Sequence, residues 1–210
     1  MNDEQENQAK DLETQDRKDG RPRIDAQRNL EALLQAAVEV FSTSGVDAPV
    51  REIVEKAGVG IGTFYRHFPQ RSDLFVAVFR REIDSCADAA PVLAAEHEPG
   101  EALARWIQRY AAFLGTKRGL ASALHSGNPA FDSLPAYFHQ RLQPAFKELL
   151  ASAVVSGEVR SDFAAEDLLD AVASLCHTAY QQGPDHAQRM VALLVDGLRY
   201  GKSQSNSLPS

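Results

Sequence analysis

The stretch Gly58-Val59-Gly60-Ile61-Gly62-Thr63-Phe64-Tyr65-Arg66-His67-Phe68 joins a sharp turn to a short helix. Gly58 directly follows a helix-patterned segment, where a residue with positive φ lets the chain reverse. Val59, apolar within a turn, plugs the angle between the two helices. Phe64 and Phe68 stand four apart and share an inward face. Ile61, Gly62, Thr63, Tyr65, Arg66 and His67 are left toward the open side. Gly62 costs a helix interior about 1 kcal/mol against alanine. Close approach of the backbone to a large partner, such as a DNA strand, is a reason to keep it. Two short helices at a fixed angle, the second free to enter a groove, make a helix-turn-helix. A phosphate-cradling glycine loop would instead follow a β-strand, and what precedes Gly58 is helical.

Upstream, Leu30, Leu33, Leu34, Ala37, Val38 and Phe41 recur on one face of a 3.6-residue repeat. That helix stops at Ser44-Gly45. Val50, Ile53, Val54 and Ala57 mark the second helix, with Asp47 a candidate N-cap and Pro49 in the first turn. Downstream, Pro69 to Asp73 breaks the pattern, and Ser72 is a candidate N-cap for a fourth helix carrying Leu74, Phe75, Val78, Phe79 and Ile83 to about Asp88. Further helices are expected over 100–115, 118–126, 132–156, 163–182 and 185–201, about nine in total. Strand-like alternation is essentially absent, and the fold expected is all-α. The domains expected are a disordered acidic tail over 1–24, a helix-turn-helix domain over 25–71, a helical effector-binding and dimerisation domain over 72–202, and a flexible tail over 203–210.

A chain of 210 residues with 44% hydrophobic and 24% charged residues is of ordinary globular composition. No run approaches the length of apolar sequence that a membrane span needs, and the polar, acidic N-terminus is unlike a secretory signal. A cytoplasmic location with no membrane partner is expected. Cys86 and Cys176 show no ligand-like spacing, and His97, His125, His139 and His177 form no recognisable metal set, so neither metal nor cofactor is expected. The net charge of −7 runs against a nucleic-acid partner. Its distribution weakens that objection, with −4 over residues 1–20, 0 over 21–75 and −3 over 76–210. A neutral reading domain must concentrate its cations on one face. Arg21 and Arg23 are readable either as a minor-groove arm or as solvated tail.

The segment from Asn29 to Phe79 resembles the tetracycline-repressor (TetR) family. The resemblance rests on Phe41-Ser42-Thr43-Ser44-Gly45, Val50-Arg51-Glu52-Ile53, Ala57-Gly58-Val59, Gly62 through Pro69, Arg71 and Leu74-Phe75, in the family's order and spacing. It covers about a quarter of the chain. By that resemblance Thr63, Tyr65 and His67 contact phosphates or bases, and Arg71, where the family commonly has lysine, contacts phosphate. Ile61 and Arg66 sit at variable positions that choose the sequence. Arg51, Gly60 and Gly62 join the DNA-facing set. Two positions depart from the pattern: Gly60 replaces the usual capping serine or threonine of the recognition helix, and Ala48 the capping threonine of the helix before it.

The resemblance further implies a homodimer through the last two helices, a palindromic double-stranded DNA operator, and a small-molecule effector. Dimer candidates are Leu168, Val172, Leu175 and Ala179 on one stripe and Leu194 and Leu198 on another, although either stripe is equally readable as internal core. Effector candidates are Trp106, Tyr110, Phe113, His125, Phe138 and His177, where polar tips interrupt apolar faces. The function expected is a sequence-specific transcriptional regulator, a repressor released by its effector. A regulator without a small-molecule ligand, controlled by a partner protein or by abundance, is the alternative. An all-α enzyme would show clustered titratable residues, and no such set is legible.

Overall fold

In the computed structural model, residues 3–45, 47–115, 127–179 and 182–200 are described, with side chains from residue 24 onward except at 177–179, 184 and 200. Among them the chain forms α1 Asp3–Ser44, α2 Val50–Ala57, α3 Ile61–His67, α4 Arg71–Glu96 and α5 Pro99–Gly115. A 3₁₀ turn at Pro129–Phe131 leads to α6 Leu134–Val155, α7 Ala165–Ala179 and α8 Pro184–Tyr200. No strand occurs among the described residues. The expected helix over 118–126 and the expected tail over 203–210 lie outside them. Two compact units result, Met1–Leu74 and Phe75–Ser210.

Four local expectations are corrected. Helix α1 begins at Asp3, where a disordered tail over 1–24 was expected. Glu, Gln, Lys and Arg dominate that stretch and favour helix, and extending an existing helix needs no new nucleus. Helix α4 continues past Asp88 to Glu96 through an alanine-rich segment, with Pro91 inside it. Asp47 does not cap α2: Pro49 does, at φ −62°, with no side-chain hydrogen bond. Ser72 does not cap α4 either. The Gln70 N–H donates to Asp73 Oδ2 at 2.8 Å, the return half of a capping box centred on Gln70.

In the first unit α1, α2 and α3 pack together around Leu33, Ala37, Val40, Ile53, Phe64 and Phe68, all buried. Lys56 Nζ pairs with Glu39 Oε2 at 2.8 Å, and Ser44 Oγ donates to Glu52 at 2.8 Å, tying α2 to α1 at both ends. In the second unit α5 lies against α6, α7 and α8. Its buried residues Leu103, Trp106, Ile107 and Tyr110 face Leu142, Phe146, Val172, Cys176 and Val195 in one core. The N-terminus of α5 is clasped from two directions. Arg199 Nη2 donates to the Gly100 carbonyl at 2.8 Å and to Glu101 Oε2 at 3.1 Å, which holds the Glu101 carboxyl below its ordinary range. A Cβ on Gly100 would come within 2.5 Å of Glu158 Oε2, so any larger residue there requires the Glu158 side chain to shift.

Candidate nucleic-acid interface

The turn into α3 is built from backbone alone. Gly58 sits at φ 67° and ψ 27°. Its N–H donates to the Glu55 carbonyl at 3.2 Å and that of Val59 to the Val54 carbonyl at 3.1 Å. This is a Schellman closure, and it needs the left-handed conformation that glycine adopts without penalty. Val59, half-buried, follows in the corner. Gly60 then caps α3 at φ −75° with no side-chain acceptor, its carbonyl receiving the Thr63 and Phe64 N–H groups at 2.9 and 3.2 Å.

The next turn sorts α3 into two faces. Phe64 and Phe68 are buried with ring centroids 5.7 Å apart. Ile61 and Tyr65 are 49% and 52% exposed, Gly62 and Arg66 are exposed between them, and Thr63 and His67 flank them half-buried. The Tyr65 ring meets Phe64 edge-on at 5.1 Å, yet it and Ile61 still present a contiguous apolar surface to water on a seven-residue helix. Arg66 Nη2 donates to Thr63 Oγ1 at 3.2 Å and its Nε to the Gly62 carbonyl at 3.3 Å, so its guanidinium lies along the exposed face. The helix ends in the basic residues Arg66 and His67, and the Arg66 charge stands at the favoured end of its dipole. Arg71, half-buried, opens α4. Arg51 is exposed on α2 and ion-paired with Glu55 at 2.8 Å. Of the expected DNA-facing residues of α3, Ile61, Gly62, Tyr65 and Arg66 therefore face solvent, with Thr63 and His67 at the margin of the core.

Gly62 is open: a Cβ built there meets nothing within 4 Å. Gly62→Ala is therefore expected to stabilise the first unit, by up to about 1 kcal/mol, while weakening DNA binding if the backbone meets a DNA strand there. Paired denaturation and DNA-affinity measurements on this variant check both halves.

In the second unit the effector candidates are packed rather than open. Trp106, Tyr110 and Phe113 are buried. Trp106 stacks on Tyr110 at 5.6 Å, Tyr110 on Phe113 at 6.3 Å, and Phe138, half-buried, lies 6.0 Å from Tyr110. Trp106 Nε1 donates to the Cys86 carbonyl at 2.9 Å. A cleft of about 220 Å³ opens beside Phe113, lined also by Glu82, Ser85, Cys86, Arg109 and Ala112. Arg109 Nη2 donates to Ser85 Oγ across it at 2.8 Å. These polar residues were not singled out from sequence, because Ser85 and Arg109 lie on different helices. Burial pushes the Cys86 thiol up to about 12, well above neutral pH. His125 and the His177 side chain lie outside what the structure describes.

The dimer candidates need correction. Leu168, Val172 and Leu198 are buried within their own unit, on the sides of α7 and α8 that face the core. Leu175 and Leu194 are half-buried, and the Ala179 side chain lies outside the described ones. The apolar residue α8 leaves in water is Leu193, 66% exposed, with Met190 half-buried one turn before it and Gly197 exposed one turn after. The amphipathic stripe showed which residues share a face, but not which of two apolar neighbours it turns toward. Among the described residues, no three His, Cys, Asp or Glu side chains group as a metal site, and no helix is long and apolar enough to cross a membrane.

Comparison with known proteins places these two units. The profile described as bacterial regulatory proteins, tetR family, matches residues 33–78. That of the C-terminal domain of SbtR-like transcriptional regulators matches residues 98–200. The crystal structure of a TetR transcriptional regulator, SCO0520 from Streptomyces coelicolor, is 38% identical, covers 81% of this chain and 98% of its own, and superposes with a TM-score of 0.69. A TetR transcription regulatory protein from Mycobacterium vanbaalenii is 34% identical over 84% of this chain and 98% of its own, with a TM-score of 0.63. The TetR-like regulator LfrR from Mycobacterium smegmatis, crystallised with proflavine, shares the fold at 24% identity over 83% of this chain and 96% of its own, with a TM-score of 0.63.

Proposed function

Since the chain belongs to the TetR family of DNA-binding transcriptional regulators, we propose that it is a repressor which grips a palindromic operator as a homodimer and lets go when a small molecule binds. The observation that carries the DNA-reading part is the edge of α3, where Ile61 and Tyr65 stand exposed beside Gly62 and Arg66. Tyr65, Thr63 and His67 supply the general grip on the backbone, with Arg71 on phosphate; Ile61 and Arg66 meet base edges. A role on DNA places the protein in the cytoplasm. The bound form is a dimer through the exposed edges of α7 and α8 around Leu193, which presents two recognition helices to successive turns of the duplex.

Selection of duplexes from a random-sequence pool, followed by gel shift on the selected DNA and on the gene's own upstream region, tests this reading. A protein with no preference over non-specific DNA at low salt is not a sequence-specific regulator. Two substitutions separate grip from choice. His67→Ala is expected to weaken binding across all sequences. Arg66→Ala should relax preference at one base position by about 1–3 kcal/mol.

The proflavine complex of LfrR supports the effector part by analogy of fold. The effector enters by the cleft at Arg109, Ser85 and Phe113 and displaces Phe138 toward solvent. The burial of Trp106, Tyr110 and Phe113, with Tyr110 stacked on both of the others, favours a second reading, a regulator that takes no small molecule. Thermal denaturation across a metabolite library separates the two. A ligand at a hundred times its Kd adds about 2.7 kcal/mol to stability.

A further inference from the structure

Among the described residues of the first unit, the large apolar side chains left exposed are Ile24, Ile61 and Tyr65. Two of these three stand four apart on α3 and so share a face. Ile61 is the first residue of that helix, and its side chain carries no donor or acceptor. Tyr65 is fixed beside it, its ring edge-on to the buried Phe64 at 5.1 Å. Gly62 leaves open space next to Ile61, since a Cβ there would meet nothing within 4 Å. Arg66 reaches back to the same turn, its Nε donating to the Gly62 carbonyl and its Nη2 to Thr63 Oγ1. The N-terminal turn of α3 therefore presents an aliphatic side chain, a bare stretch of backbone and a guanidinium together.

Resting on the DNA-binding reading, we propose that Ile61 determines specificity by packing on the methyl group of a thymine in each operator half-site. In a helix-turn-helix, the N-terminal residues of the second helix meet base edges in the major groove. Every base pair displays donors and acceptors there, and an aliphatic side chain can pair with none of them. The apolar feature of that groove is the thymine methyl. Against any other base edge Ile61 would strip water from a polar group without replacing its hydrogen bond, which costs free energy. It therefore selects twice, by attraction to the methyl and by exclusion elsewhere. Branching at Cβ leaves Ile61 few rotamers in a helix, so little freedom is lost on contact. Gly62 lets the backbone approach closely enough for so short a side chain to reach the base. Arg66 complements it on a neighbouring pair, where its planar donors suit the two acceptors of guanine.

The wild-type chain is first offered random-sequence DNA, and each thymine of the duplex it selects is then replaced in turn by deoxyuridine. That change removes one methyl and leaves every hydrogen-bonding group of the base pair in place. One thymine in each half-site is expected to be methyl-dependent, with affinity falling about fourfold per half-site, the effect of one buried methyl-sized group. Ile61→Ala should bind the thymine and deoxyuridine duplexes equally, and α3 should persist in it because alanine is the better helix former. Arg66→Ala should keep the methyl dependence, since it removes hydrogen bonds and leaves the apolar contact. A selected half-site in which no deoxyuridine matters would overturn the proposal. So would a methyl dependence that survives in Ile61→Ala, or one that vanishes in Arg66→Ala. Wild-type protein that selects no duplex overturns the DNA-binding reading and the role of Ile61 with it. A selected duplex indifferent to its methyl groups leaves that reading standing and overturns the role of Ile61 alone.

Discussion

Phe64→Ala is expected to abolish DNA binding while leaving the second unit folded. Phe64 is completely buried where α1, α2 and α3 meet, and its ring packs against Phe68 at 5.7 Å. Truncating a buried phenylalanine costs about 3–5 kcal/mol in transfer and cavity terms. At about 0.05–0.15 kcal/mol per residue, a unit that ends at Leu74 has about 4–11 kcal/mol of stability in all, so this loss takes a large share of it. The seven residues of α3 are too short to hold a helix by themselves. Urea denaturation followed by circular dichroism should show an early loss of helix from the first unit and a later, unshifted transition from the second. A single transition at the wild-type midpoint, with DNA affinity retained, would show that Phe64 does not hold the recognition helix.

Leu193→Asp is expected to turn the proposed dimer into a monomer. Leu193 is 66% exposed on α8, so the substitution removes little from the fold of one chain, within about 0.5 kcal/mol for a surface position. A charge buried in an apolar dimer seam is a different matter, because an unpaired ion there loses its hydration. Sedimentation should give the mass of one 23.0 kDa chain for the variant and twice that for the wild type. Affinity for a palindromic duplex should fall by 10² or more, since each recognition helix loses the effective concentration its partner supplied. A variant that keeps the wild-type mass places the interface elsewhere. Leu168→Asp is the contrasting case: that residue is buried in its own core, and its charge should unfold the chain rather than only separate two copies.

The local punctuation of the first unit was legible from residue types. Gly58, the spacing of Phe64 and Phe68, and the break at Pro69 each act over one helical turn, and the chain chemistry that decides them is contained in the residues themselves. Caps were less legible. Asp47 and Ser72 are the residue types that cap helices, yet Pro49 and Gln70 hold those places, because the path of the chain into each helix decides which residue stands first. The helical state of residues 3–23 was also missed, since a polar segment with good helix formers has no apolar stripe to announce it.

By itself the sequence determined an all-helical fold, the helix-turn-helix around Gly58 and Phe64, the sorting of α3 into a buried and an exposed face, and membership in a family of DNA-binding regulators. Periodicity and turn chemistry carry that information because they act between neighbours. Only the tertiary structure decided that Leu168, Val172 and Leu198 turn inward while Leu193 faces water, and that Trp106, Tyr110 and Phe113 pack on one another. It alone brought Arg141 onto Asp84, 57 residues away in sequence. A stripe on a helix records which side chains travel together. Which neighbour they meet is settled by the crossing of helices, and no residue encodes that alone.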